Sequence, residues 1–145
     1  MHRIELPSKF LIGSPSANPT TELRTNASGR QANRGMEGLA ISPDGTTLFG
    51  IMQNALIQDH GLVTPFPINP NEAPGRLGIN NRTLKIDLLT GETHEYVYVL
   101  DAINRGQGVS EILAINDHEF LVVSSRSGPS SGRSTSTNPT SSAPA

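Results

Sequence analysis

The sequence predicts an all-β fold: a partial β-propeller of about one and a half four-stranded antiparallel blades, followed by a disordered C-terminal tail. Three observations carry this expectation. Short runs of β-formers alternate with turn residues, no helical period persists beyond a turn or two, and a strand signature occurs twice. Composition agrees. Hydrophobic residues make up 34% of the 145 residues, with 14 Gly and 11 Pro, which argues against a helical bundle, a coiled coil or a membrane protein. No run approaches the roughly 20 apolar residues of a membrane span. The net charge of −2 does not mark a nucleic-acid binder. The chain has no Cys, so disulfides and thiolate chemistry are excluded.

The strands follow in order. Residues 37–42 and 46–53 are apolar runs joined by Pro43-Asp44-Gly45, where Pro presets φ and Gly accepts a positive φ. Together they predict a hairpin. In residues 82–88, Leu84, Ile86 and Leu88 alternate with Lys85 and Asp87, and Thr90-Gly91 marks the next turn. Residues 94–100 are rich in β-formers. A fifth strand begins at 111–115 and a sixth at Phe120, separated by Asn116-Asp117-His118. A further strand is expected at 9–12. Residues 54–81 form a long loop whose Pro65, Pro67, Pro70 and Pro74 oppose regular structure.

Glu37-Gly-Leu-Ala-Ile aligns with Glu111-Ile-Leu-Ala-Ile, and Asn33-Arg34-Gly35 recurs as Asn104-Arg105-Gly106. Four short strands per repeat is the pattern of a propeller blade. A propeller closes only with several blades, and an open piece leaves apolar faces and strand edges uncovered. The expectation is therefore a fragment of a longer propeller. The chain divides into an N-terminal strand and loop region (1–29), a partial propeller domain (30–123) and a tail (124–145). Nine of the 22 tail residues are Ser, and Ala is the only apolar type. Such a segment cannot offset its ordering entropy. A change of reading frame after Val123 accounts for the switch in composition; a genuine linker or a gene-model error are the alternatives.

Several stretches resemble the family described as "esterase-like activity of phytase". They are Asn33-Arg34-Gly35-Met36-Glu37-Gly38-Leu39-Ala40-Ile41-Ser42-Pro43-Asp44-Gly45, Ile51-Met52-Gln53-Asn54-Ala55-Leu56, Gln58-Asp59, and Arg82 to Asp87 before Thr90-Gly91. Tyr96-Val97-Tyr98-Val99-Leu100-Asp101 and Gly108-Val109-Ser110-Glu111-Ile112 continue the match in the same order. The resemblance implies a propeller fold and phosphoester or ester hydrolysis on a small-molecule phosphoester. It also implies a bacterial, exported protein, periplasmic or extracellular, although the N-terminus shows no export signal. The chain as it stands is expected to be an inactive piece of that hydrolase. A non-catalytic propeller that binds a ligand or a protein is the alternative.

Glu37 and Glu111 are the candidate catalytic residues. Each opens the first strand of its repeat, where a carboxylate can activate water or hold a divalent cation through hard oxygen ligands. Either can instead cap the strand or pair with an Arg. Asp59 completes the candidate metal set with Glu37 and Glu111. The cofactor stays open, with Ca²⁺ the candidate. Arg34, Arg82, Arg105 and Gln53 are the candidate substrate-binding residues, since guanidinium groups bind phosphate through two parallel hydrogen bonds. The Arg side chains can equally form salt bridges between blades. His60, His94 and His118 lack a paired zinc spacing. Ser42 lacks the Gly-x-Ser-x-Gly elbow. The oligomeric state is open.

Overall fold

A computed structural model of the chain describes residues 3–59, 78–100 and 108–125, with only the backbone described at Ser125 and at 140–141. Most of the expected long loop, the candidate Arg105 and nearly all of the expected tail lie outside the described residues.

Six strands follow the predicted order, each within a few residues of its expected bounds. They are β1 (Met36–Ile41), β2 (Thr47–Met52), β3 (Asn80–Asp87), β4 (Thr93–Val99), β5 (Gly108–Ala114) and β6 (Phe120–Ser125). A two-residue strand, β7 (Thr140–Ser141), pairs antiparallel with β4. The strands form two antiparallel sheets, β1-β2-β3-β4-β7 and β5-β6. Among the described residues they do not close into a barrel.

The turns hold because their side chains take up backbone groups that the sheet leaves unpaired. Ser42 N–H donates to the Thr47 carbonyl at 2.9 Å, and Gly45 sits at φ 74°. The Asp44 carboxylate accepts from the Ser42 hydroxyl at 2.5 Å and from Thr46 N–H at 3.1 Å. Asp87 repeats the device before β4, accepting from Leu89 and Thr90 N–H, with Gly91 at φ 76°.

The first sheet is packed on both faces, except that Leu39 and Ile41 on the back of β1 stay exposed. Its front face places Ala40, Phe49 and Ile51 against Val109, Ile112, Phe120 and Val122 of the second sheet. The Phe49 and Phe120 ring centroids lie 4.3 Å apart with planes tilted by 59°. Its back face packs Met52, Leu84 and Ile86 with Leu56 and with Phe10 of the N-terminal segment. Residues 8–10 form a 3₁₀ turn, and Leu11 is extended but joins no strand ladder, its N–H donating to the Ser8 carbonyl, so the strand expected at 9–12 is absent. A short helix, α1 (Pro19–Thr25), follows, capped by the Asn18 side chain on Thr20 and Thr21 N–H with Pro at the helix start.

The structure corrects the repeat by one residue. The hairpin-closing bonds are Ser42 N–H to Thr47 O and Ile115 N–H to Glu119 O. The register irregularities fall between Met36 and Gly38 and between Val109 and Glu111. Both features set the first strands of the repeats 73 residues apart, whereas the sequence alignment sets them 74 apart. On a strand that single step exchanges the faces. Leu39 is thus equivalent to Ile112, and Gly38 to Glu111. The sheets stack front to back: the front of β1 meets the face of β5 that corresponds to the back of β1.

Candidate functional site

The start of β1 is held by a tight turn. Arg34 N–H donates to the Gln31 carbonyl at 3.0 Å, and Asn33 takes φ 54°, a left-handed conformation that Asn tolerates better than most residues. Gln31 anchors the turn by donating its Nε2 to the Ala55 carbonyl at 2.9 Å. The half-buried Arg34 guanidinium has no carboxylate partner among the described residues. Burial pushes its pKa below the ordinary value, but an Arg remains charged at neutral pH.

Gln53 lies next to this turn. Its N–H donates to the Gly35 carbonyl at 2.8 Å, and its own carbonyl accepts from Val109 N–H at 2.9 Å, tying β2 to the start of β5. Gly108 stays close because a Cβ there would stand 3.2 Å from both Gln53 Cγ and the Gln53 carbonyl. The Gln53 Oε1 is buried and accepts no hydrogen bond among the described residues. Asn81 supplies a second orphan acceptor: it is fully buried and donates its Nδ2 to the Met52 carbonyl at 2.5 Å, and its Oδ1 has no donor among the described residues. Buried acceptors are rarely left without a donor. The end of β2 and the start of β3 therefore each hold a buried carbonyl oxygen without a donor among the described residues, and the Gln53 backbone is bonded to the turn that carries Arg34.

Glu37 and Glu111 flank the seam between the sheets. Gly38 approaches Ile112 so closely that a Cβ would lie 2.8 Å from Ile112 N, so the backbones beside both Glu residues are neighbours. Glu37 is exposed at the β1 irregularity. Glu111 is also exposed, and its Oε1 accepts from Ile112 N–H at 3.1 Å.

Arg82 is bound elsewhere, in an ionic cluster. Its Nε and Nη2 reach the Asp59 carboxylate at 2.6 and 2.8 Å, and its Nη1 reaches Glu95 at 2.7 Å. Lys9 joins from the N-terminal segment, 2.9 Å from Glu95. The Asp59 hydrogen bonds raise the Arg82 pKa most, burial lowers it by less, and the Glu95 bond and the two carboxylate charges add to the rise. Gln58 also ties chain segments together, accepting from Gly29 N–H and donating to the Lys9 carbonyl.

Among the described residues no three His, Asp or Glu side chains converge on a point suited to a metal ion. Both Asp59 oxygens face Arg82, and Glu37, Asp59 and Glu111 do not form one ligand set, so the residues as placed do not fit Ca²⁺. Two site-like features escaped the sequence reading. Glu22, 3% exposed, pairs with Arg30 at 2.9 Å and accepts from Ser16 N–H. Asn81 is the other; it falls at the end of the expected long loop, and no local signal marks it as buried in β3. Among the described residues no helix is long and apolar enough to cross a membrane.

No curated protein and no solved structure matches the chain. A family model described as "Phytase-like: Esterase-like activity of phytase" matches residues 2–136. That span takes in the N-terminal segment, β1 to β6 and the seam between the sheets, and extends past the stretches that first suggested the likeness. With nearly its whole length matched, the chain belongs to the phytase-like family.

Proposed function

We propose that this chain carries the anion-binding part of a phosphoester or ester hydrolase, in a blade-like stack that belongs to a propeller. The carrying observation is Arg34, a half-buried cation with no acidic partner among the described residues, in a turn whose Gly35 carbonyl is bonded by Gln53 N–H. A phosphate or a phosphoester suits that cation, its anionic oxygens satisfying the guanidinium. Glu37 and Glu111, at the seam one strand away, are the carboxylates available as general base for an attacking water. Front-to-back stacking of the two sheets supports the propeller reading, and membership of the family supports the hydrolase class. Export to the periplasm or the extracellular space belongs to the same proposal.

Phosphate titrated into the protein and followed by amide chemical shifts tests the binding step. Saturable shifts at Arg34, Gly35 and Gln53 are expected, with affinity reduced about tenfold or more in Arg34→Gln, the loss of a charge-assisted pair. Equal binding by the variant sinks the assignment. Phosphate release from a generic phosphomonoester, with and without added Ca²⁺, tests the chemistry. Activity that survives Glu37→Gln with Glu111→Gln removes both from the mechanism.

A second reading has its own support. Glu37 and Glu111 are exposed, and Asp59 is occupied by Arg82, as suits a ligand-binding module without turnover. Saturable phosphate binding with no hydrolysis identifies that case.

A further inference from the structure

The N-terminal segment and the first sheet bound a cavity of about 410 Å³, a size that accommodates a small organic molecule. Leu6, Leu11 and Ile12 form one wall, Met36 and Met52 form the other, and Phe10 lines the space with them. Both walls are tied in place. Arg30 N–H donates to the Phe10 carbonyl at 3.2 Å, Gln58 Nε2 donates to the Lys9 carbonyl at 3.0 Å, and Lys9 pairs with Glu95. Gly50 leaves room for Met36, because a Cβ there would collide with the Met36 thioether. The space lies between two segments of this chain, not on a sheet face where a neighbouring blade stacks. Unbranched Met side chains let one wall adapt to what it holds.

Arg30 is the one charged residue in the lining among the described residues. It gives its Nη1 to Glu22 and to the Gln31 carbonyl, while its Nε and Nη2 have no acceptor among the described residues. Gly35, also in the lining, directly follows Arg34, whose guanidinium has no carboxylate partner among the described residues. Arg30 and Arg34 thus bracket the tight turn that the Gln31–Arg34 bridge closes. An apolar space beside two guanidinium groups and a single carboxylate suits an anion that carries an apolar group. We propose that this cavity takes the apolar group of a phosphomonoester, so that the ligand is the phosphate of an alkyl or aryl alcohol and not of a polyol. The proposal rests on the reading of Arg34 as the phosphate-binding cation and adds what the phosphate carries. A polyol would give up its hydration against Leu6, Leu11, Ile12 and the Met side chains, whose apolar groups return no hydrogen bonds. An alkyl chain instead gains about three- to fourfold in affinity for each methylene it buries.

NMR titrations of the full chain with hexyl phosphate, glycerol phosphate, inorganic phosphate and hexanol test it, read at the Met36 and Met52 methyl groups and the Arg34 and Gly35 amides. Hexyl phosphate should bind about tenfold or more tighter than glycerol phosphate, and both hexyl phosphate and hexanol should shift the two methyl groups. Leu11→Asn, at a position 52% exposed, should cut that preference to about threefold or less and leave the binding of inorganic phosphate unchanged. Equal affinity for the hexyl and glycerol esters, with phosphate still held through Arg34, overturns the apolar ligand class alone. Hexanol that shifts the methyl groups while no phosphate binds overturns the reading of Arg34, and the phosphomonoester with it. Methyl groups that neither hexyl phosphate nor hexanol shifts overturn the cavity assignment, whatever Arg34 does.

Discussion

The Arg82 guanidinium lies fork to fork on the Asp59 carboxylate, Nε to Oδ2 at 2.6 Å and Nη2 to Oδ1 at 2.8 Å, while its third nitrogen holds Glu95. Two sequence-distant segments are thereby fixed to β3. The loop after β2 supplies Asp59, and the N-terminal segment supplies Lys9 through Glu95. A guanidinium engaged in this way holds structure together before it can hold a substrate.

Replacing Arg82 by Lys should cost about 1–2 kcal/mol, because an ammonium cannot span both Asp59 oxygens and the partly exposed site discounts the loss. Asp59→Asn should cost a similar amount, and the double variant less than the sum. Urea melts of the four proteins measure this. Phosphate affinity should be unchanged in Arg82→Lys; a fall as large as that of Arg34→Gln would place Arg82 in the binding site.

Gly38 should tolerate no side chain. A Cβ there meets Ile51 Cγ2 at 2.7 Å and the Ile112 backbone nitrogen at 2.8 Å, and backbone cannot step aside. Gly38→Ala should destabilise by about 1–3 kcal/mol through overpacking. Gly35→Ala, three residues earlier, meets nothing within 4 Å and lies outside the left-handed region; it should change stability by less than about 0.5 kcal/mol. Thermal melts that rank the two the other way would show that the seam is looser than its geometry.

The aromatic pair links the two sheets. Phe49 is 1% exposed and Phe120 is 7% exposed, with ring centroids 4.3 Å apart. Truncating either to Ala should cost about 3–5 kcal/mol. The loss should appear as faster amide exchange in both sheets, since each ring fills space lined by the other. Exchange that quickens in one sheet alone would mean that the sheets are stable independently.

The strands were legible because alternation and turn chemistry are local. Leu84 and Ile86 against Lys85 and Asp87, or Pro43-Asp44-Gly45, say the same thing in isolation as in the fold. The register of the repeat was not. Glu37-Gly-Leu-Ala-Ile and Glu111-Ile-Leu-Ala-Ile match best as text at 74 residues, but the turn after β1 is one residue longer than the turn after β5, and an irregularity interrupts each strand. Hydrogen bonds, not letters, decide which face a residue takes. Sequence separates Arg34 from Arg82 no better, because the difference lies in whether a distant carboxylate arrives. The helix α1 was readable in principle from Asn18-Pro19, a cap followed by a first-turn Pro, but two turns of helix carry too little periodicity to stand out.

Acid should loosen the β1-β2 hairpin through Asp44. The Ser42 hydroxyl, then Thr46 N–H and the Thr46 hydroxyl, hold the Asp44 carboxyl below its usual pKa. Those bonds need the ionised form, so the unfolded chain takes up a proton at a higher pH than the folded one. The contribution is therefore complete above the ordinary Asp value of about 3.9 and declines as pH falls through the lower folded value. Asp44→Ala should melt below the parent at pH 7, and the gap should narrow as pH drops towards 2, where the parent has lost the same bonds. Asp87, held down chiefly by Thr90 and Leu89 N–H, should behave alike, so Asp44→Ala with Asp87→Ala should flatten much of the acid limb of the melting profile. A gap that stays constant from pH 7 to 2 would show that the Asp44 carboxylate acts through turn geometry alone and not through its charge.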